Sequence, residues 1–187
     1  MISRKEALEL LHAHLPEPNL IKHSLESEAV LRALARDQEQ DEDLWGLTGL
    51  LHDLDYSNIG DATEKHGLVG AQMLEGKLPE EALHAIRAHN GEMTGVIPGT
   101  TFDFALRCGE TVTGLVHTAA LVRPTRMEGM TAKSLKKKMK DKAFAASVNR
   151  DNIKECDKIG LELGAFLTLS IGAITDIADQ VGLVVEG

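Results

Sequence analysis

The stretch Leu50-Leu51-His52-Asp53-Leu54-Asp55-Tyr56 decides how the rest of the chain reads. It closes an apolar run in which Leu44, Leu47, Leu51 and Leu54 recur at helical spacing. Adjacent side chains on a helix diverge by about 100°, so His52 and Asp53 cannot both lie on one packed face. They can grip one point from two sides if that point is a metal ion across the helix end. Imidazole nitrogen and carboxylate oxygen both suit divalent transition metals. A His-Asp dipeptide alone is a weak signal, and its weight comes from the company it keeps.

Upstream, Ser3 is placed to cap a first helix carrying Ala7, Leu8 and Leu11, which stops at Pro16-Glu17-Pro18. Asn19 can cap a second helix reaching about Asp37, with Leu20, Leu31 and Leu34 near one stripe and His23 beside it. Downstream of the His-Asp pair, Gly60 and Asp61 break the chain before a fourth helix expected to hold His66, Val69, Gly70 and Met73. Pro79 opens a fifth helix that brings His89 near its end. The Gly-rich segment 90–99 reads as a loop. A long sixth helix then carries Phe102, Leu106, Val112, Leu115 and Ala119 with Glu110 in its middle, and Pro124 ends it. A lysine-rich helix follows, and Asp151 or Asn152 caps the last helices. Their apolar run from Leu161 to Ile177 reads as a fully buried packing helix.

Composition sets the class. The 187 residues suffice for one well-buried core, and no linker or repeat divides 1–187, so one domain is expected. Aromatics are only 3% of the chain, which leaves Leu, Ala, Ile, Val and Met to build that core as an all-α helical bundle. Cys108 and Cys156 fall inside helical patterns and read as reduced core thiols. With no apolar stretch near the roughly 20 residues of a membrane span, and Met1-Ile2-Ser3-Arg4-Lys5 leading into a charged helix, the expectation is a cytoplasmic protein without a membrane partner. A formal net charge of −9 argues against nucleic acid. One segment reverses the sign: 133–142 holds six lysines. With Arg123, Arg126, Lys137, Lys142 and Arg150 it is the candidate anion grip, Arg offering a bidentate fork and Lys a point charge.

His23, His52-Asp53, His66, His89 and Glu110 come from successive helices. The remaining histidines (His12, His14, His84 and His117) fall outside that pattern and read as surface or satisfied core residues. The ordered set of His23, Leu50 to Tyr56, Lys65-His66-Gly67-Leu68-Val69-Gly70-Ala71, Ala85-Ile86-Arg87-Ala88-His89-Asn90 and a helical carboxylate resembles the HD-domain superfamily of metal-dependent phosphohydrolases. More narrowly it is similar to small HDIG-type proteins, through Thr113-Gly114-Leu115, Ala119 to Pro124 and Lys136 to Ala146.

That resemblance implies an all-α bundle around a central metal site. His23, His52, Asp53 and Glu110 would hold one ion, and His66 and His89 a second, with Asp53 bridging. The family usually ends its ligand set with Asp, so Glu110 is a departure whose extra methylene changes reach. A histidine-rich set suits one or two ions of Fe, Mn, Co, Ni or Zn better than Mg or Ca. Asp53 is the central catalytic candidate, with Asp55 as a proton relay or a helix cap. The implied substrate is a small anionic, phosphorylated metabolite or nucleotide; homo-oligomerisation stays open. Two further readings share the scaffold: an HD-fold di-iron oxygenase, and a metal-bound sensor that binds its ligand without turnover.

Overall fold

The computed structural model describes residues 1–185. Its helices are α1 (Arg4–His14), α2 (Pro18–Asp37), α3 (Glu42–Leu51), α4 (Leu68–Met73), α5 (Glu80–His89), α6 (Gly91–Thr94), α7 (Thr101–Leu121), α8 (Ala132–Met139), α9 (Arg150–Lys154) and α10 (Leu163–Thr175). Short 3-10 turns stand at Tyr56–Asn58, Thr63–Lys65 and Glu155–Ile159, and no strand occurs among the described residues. The fold is all-α, as the composition requires.

Caps fix where several helices begin. The Ser3 hydroxyl accepts the Glu6 N–H while the Glu6 carboxylate takes the Ser3 N–H, satisfying two donors that α1 would otherwise leave open. Thr100 and Asp103 do the same for α7. Other starts differ from the sequence expectation by a residue or more. Glu17 rather than Asn19 precedes α2, with Pro18 in the first turn, where its missing N–H costs nothing. Pro79 sits just before α5. Asn149, not Asp151 or Asn152, caps α9 by accepting from both of their amides. The loop at 90–99 contains the single turn α6.

The centre of the molecule is α2, α3, α5 and α7 packed on one another. Leu31, Leu34, Leu50, Leu51, Leu106 and Leu115 are fully buried there, each worth about 1.5–3 kcal/mol of transfer free energy. Two glycines set how close the helices come. A Cβ on Gly49 of α3 would stand 2.8 Å from the Ser27 carbonyl oxygen of α2, and one on Gly109 of α7 would stand 2.6 Å from Leu31 Cδ2. The first contact is with backbone and too short for any real methyl group, so α3 reaches α2 only because that side chain is missing, while a side chain at Gly109 would force Leu31 to move. This closeness brings His52 and Glu110 beside His23.

α10 lies against α2, α7 and α8. It is not the fully buried helix expected from its apolar run: Phe166, Leu167, Ser170, Ala173 and Ile174 face inward, while Leu169 and Ile171 are half-buried and Ala165 is exposed. One stripe of a helix suffices to cover a core edge. Among the described residues no single helix is long and apolar enough to cross a membrane.

Candidate metal centre

Six side chains from six places along the chain meet between these helices. His23 comes from α2, His52 from the end of α3, Asp53 from the turn beyond it, and His89 from the last turn of α5. Glu110 comes from α7. His66 departs from expectation: it stands before α4, in extended conformation at the end of the 3-10 turn Thr63–Lys65. Gly67 follows with φ 88°, which turns the chain into α4. A Cβ there would lie 2.6 Å from the Ile86 carbonyl and 3.1 Å from the His89 ring. Glycine is therefore required both by backbone angle and by space.

Each imidazole is oriented from behind. His52 Nδ1 lies 2.8 Å from the Gly49 carbonyl, and His89 Nδ1 lies 2.5 Å from that of Ile86. A carbonyl only accepts, so both Nδ1 atoms carry the proton. His66 Nδ1 donates to Asp55 at 2.8 Å. His23 Nδ1 donates to Thr113 Oγ1 at 2.8 Å, because that hydroxyl spends its own proton on the Glu110 carbonyl at 2.7 Å. All four rings thus turn Nε2 toward one region. Such an Nδ1 partner is the usual companion of a metal-binding histidine.

The facing atoms fall into two groups that share Asp53: His23, His52 and Asp53, then Asp53, His66 and His89. His23 and His52 Nε2 are 3.2 Å apart, and His66 and His89 Nε2 are 3.1 Å apart. Asp53 Oδ1 lies 3.2 Å from His52, 3.1 Å from His66 and 3.6 Å from His89. Ligands about 2.1 Å from one ion stand about 3.0–3.4 Å from each other. The separations here match that range, so the residues present fit a metal site. Glu110 stands at its border, Oε2 being 3.9 Å from His23 Nε2 while the Thr111 hydroxyl donates to Oε1.

The metal-free ligands have displaced titrations. Burial pushes His52 down to about 3. Burial also opposes charge on His66, but hydrogen bonds to Asp53 and Asp55 outweigh it and raise that ring to about 10. Burial lifts Glu110 to about 8, with the charge of Asp53 adding to the lift and the Thr111 hydroxyl opposing it. Asp53 stays well below the usual carboxylate range, because the imidazoles around it outweigh its burial. Asp53 thus keeps its charge among four imidazoles.

Asp55 is fully buried. One oxygen receives His66 Nδ1, and the other takes the Gly67 and Gly70 amides at 2.9 and 2.7 Å. From there it holds His66 and caps α4, with no surface toward a ligand, so the proton-relay role expected of it does not fit.

A cavity of about 420 Å³ opens over the cluster. His23, Asp53, His66, His89 and Glu110 form its floor, and Tyr56, Asn90, Glu92, Thr111, Asn152 and the loop 147–149 form its walls. None of the five basic residues expected to grip an anion lines it. Arg123 donates to the Arg126 and Glu128 carbonyls, and Arg126 donates to that of Leu121. Arg150 donates to the Phe144, Ala145 and Val148 carbonyls, shaping the loop that walls the pocket. Lys137 belongs to α8, where only Leu135 is buried, and Lys142 is exposed.

Sequence reasoning did not anticipate Arg107. It is buried and donates to Glu155 at 2.6 Å, Glu92 at 2.6 Å, and the Ala88 and His89 carbonyls at 3.0 and 3.1 Å. It ties α7 to the end of α5 that carries His89. An arginine at an apolar helical position was the signal for it. His117, meanwhile, is satisfied by Glu26 at 2.6 Å, and His84 by Asp103 at 3.0 Å.

A model of the HD domain family matches residues 20–146, a span that takes in His23, His52, Asp53, His66, His89 and Glu110. The chain belongs to the HD-domain family. No curated protein and no solved structure matches it. HD domains bind divalent metals, and of the His-Asp doublet that names them Asp53 joins both ligand groups while His52 joins the first.

Proposed function

We propose that this HD-domain protein is a metal-dependent phosphohydrolase acting on a small phosphorylated molecule. The observation that carries the reading is the convergence of four Nε2 atoms on Asp53, each imidazole held by its own Nδ1 acceptor. His23, His52 and Asp53, with Glu110 at the border, would hold one ion, and Asp53, His66 and His89 a second. Fe, Mn, Co, Ni or Zn suit these donors. When bound, such cations make water acidic near neutral pH and offset charge on a phosphoryl group.

The chain's own groups do the rest. Asp53 faces both ligand groups and can fix the spacing between the ions. Thr113, Gly49, Asp55 and Ile86 keep every ring in the orientation that presents Nε2, so little rearrangement is needed when substrate arrives. Asn152, Asn90 and the 147–149 loop enclose the substrate beside the floor. The single-domain organisation, the absence of nucleic-acid and membrane partners and a cytoplasmic location belong to the same proposal.

The test is metal analysis of protein purified without chelator, followed by assay of phosphate release from aryl phosphates with the metals found. Phosphate release without oxygen consumption is expected. Asp53→Ala should lose metal and activity while its helical circular dichroism persists; a variant with near-normal metal content would refute the assignment. Oxygen uptake by the iron-loaded protein, with no phosphate released under any metal, would transfer the reading to an oxygenase. Ligand binding without either reaction would make it a sensor.

A further inference from the structure

A second cavity of about 370 Å³ adjoins the metal pocket and shares Tyr56, His66 and Asn90 with it. Its remaining walls are Ile59, Gly60, Thr63 and Met93, so its character is mainly apolar. Tyr56 and Met93 are half exposed, at 51% and 50%. The Tyr56 ring stands edge-on to His66 with centroids 5.3 Å apart, which sets it directly beside a ligand of the metal group. Asn90 spends its amide nitrogen on the Thr63 and His66 carbonyls, at 3.1 and 3.3 Å. Those bonds hold the turn that carries Thr63 and His66 to the end of α5, fixing the cavity's shape.

The metal pocket has a complementary peculiarity. No lysine or arginine is among its lining residues, while Asp53, Glu92 and Glu110 are. Glu92 is itself paired with Arg107. The surplus positive charge of bound cations over their carboxylates can offset one phosphoryl group. A second or third phosphoryl would find no side-chain cation and would meet Glu92 instead. An unpaired anion in such surroundings is costly.

We infer that the substrate is a monophosphate ester of an uncharged, largely apolar alcohol, its phosphoryl group on the metal floor and its body on the Tyr56–Ile59–Met93 shelf. This rests on the phosphohydrolase reading and narrows it. Pocket walls of this kind discriminate by burying apolar surface, and loss of one such contact costs about tenfold in kcat/KM.

The experiment compares 1-naphthylmethyl phosphate, glycerol 3-phosphate and inorganic triphosphate on the metal-loaded full chain and on Met93→Asn and Ile59→Asn. These substitutions are polar but neutral, so they leave the phosphoryl electrostatics alone, and metal content is measured for each. The naphthylmethyl ester should be the best substrate of the wild type, and each variant should lose about tenfold on it while glycerol phosphate stays within about twofold. Equal kcat/KM for the two esters, equal losses on both, or a preference for triphosphate would overturn the inference.

If no ester releases phosphate, hydrolysis fails as a reading, and the shelf is judged by binding alone. Thermal stabilisation by 1-naphthylmethylphosphonate beyond that by methylphosphonate, weakened in both variants, would support it. Equal stabilisation would overturn it.

Discussion

Thr113 Oγ1 stands 2.8 Å from His23 Nδ1 and 2.7 Å from the Glu110 carbonyl, donating to the second and so accepting from the first. A hydroxyl on α7 thereby chooses the tautomer of a ring on α2. Thr113→Val keeps the shape and removes that choice. Metal affinity of the His23 group should fall about 10–100-fold, read by competition with a chromophoric chelator, while Thr113→Ser restores it. Unchanged affinity in the valine variant would mean that packing alone orients His23.

Arg107 is expected to be costly to remove. Arg107→Met leaves Glu155 and the Ala88 and His89 carbonyls without their donor in a buried place. The Glu92 arm is half exposed and counts for less through solvent screening. Urea unfolding should report a loss of about 3 kcal/mol. A loss below about 1 kcal/mol would show that water replaces the guanidinium there.

Asp103 gives the fold a pH dependence of predictable sign. Burial would raise its carboxyl, but the Gly99 amide, His84 and the Thr100 amide outweigh that and hold it below its ordinary 3.8. A carboxyl depressed in the folded state adds stability above the unfolded value, and the gain disappears as pH falls through the folded one. Asp103→Asn should therefore be less stable than wild type by about 1 kcal/mol at neutral pH. The two unfolding curves should draw together below pH 3.8; a gap that widens there would contradict the sign.

Removing metal should lower the thermal midpoint, since an ion that binds only the folded state stabilises by mass action. Dialysis against chelator is the treatment, and restoring Mn or Zn should bring the midpoint back. Asp53→Ala should show no response to either step. A midpoint indifferent to metal in the wild type would count against ligation by the cluster.

Much of the fold was readable in the chain because its signals are local. Leu44, Leu47, Leu51 and Leu54 mark a helix whose end must carry His52 and Asp53, and Pro79 and Pro124 punctuate their neighbours. The candidate ligands could be ordered because each lies at or near the end of such a run or midway along one. His66 was misplaced onto a helix because Lys65-His66-Gly67 has no periodic signature; the turn is dictated by Asp55 and by the space beside Ile86. The basic residues misled for a different reason. Arg123, Arg126 and Arg150 lie among turns rich in unpaired carbonyls, and those carbonyls took the guanidiniums before any substrate could. Glu92, Asn152 and the 147–149 loop reach the pocket only through tertiary packing, which no spacing in the sequence encodes.

Gly67 leaves the second ion group exposed to a single chemical accident. Any heavier residue at that position must wedge between the Ile86 carbonyl and the His89 ring, while also leaving the backbone angle from which the Gly67 N–H donates to Asp55. His23 and His52 would feel less of it than Asp53, which belongs to both groups. On the proposed two-ion reading, one substituted codon at this position would reduce the site to a single ion.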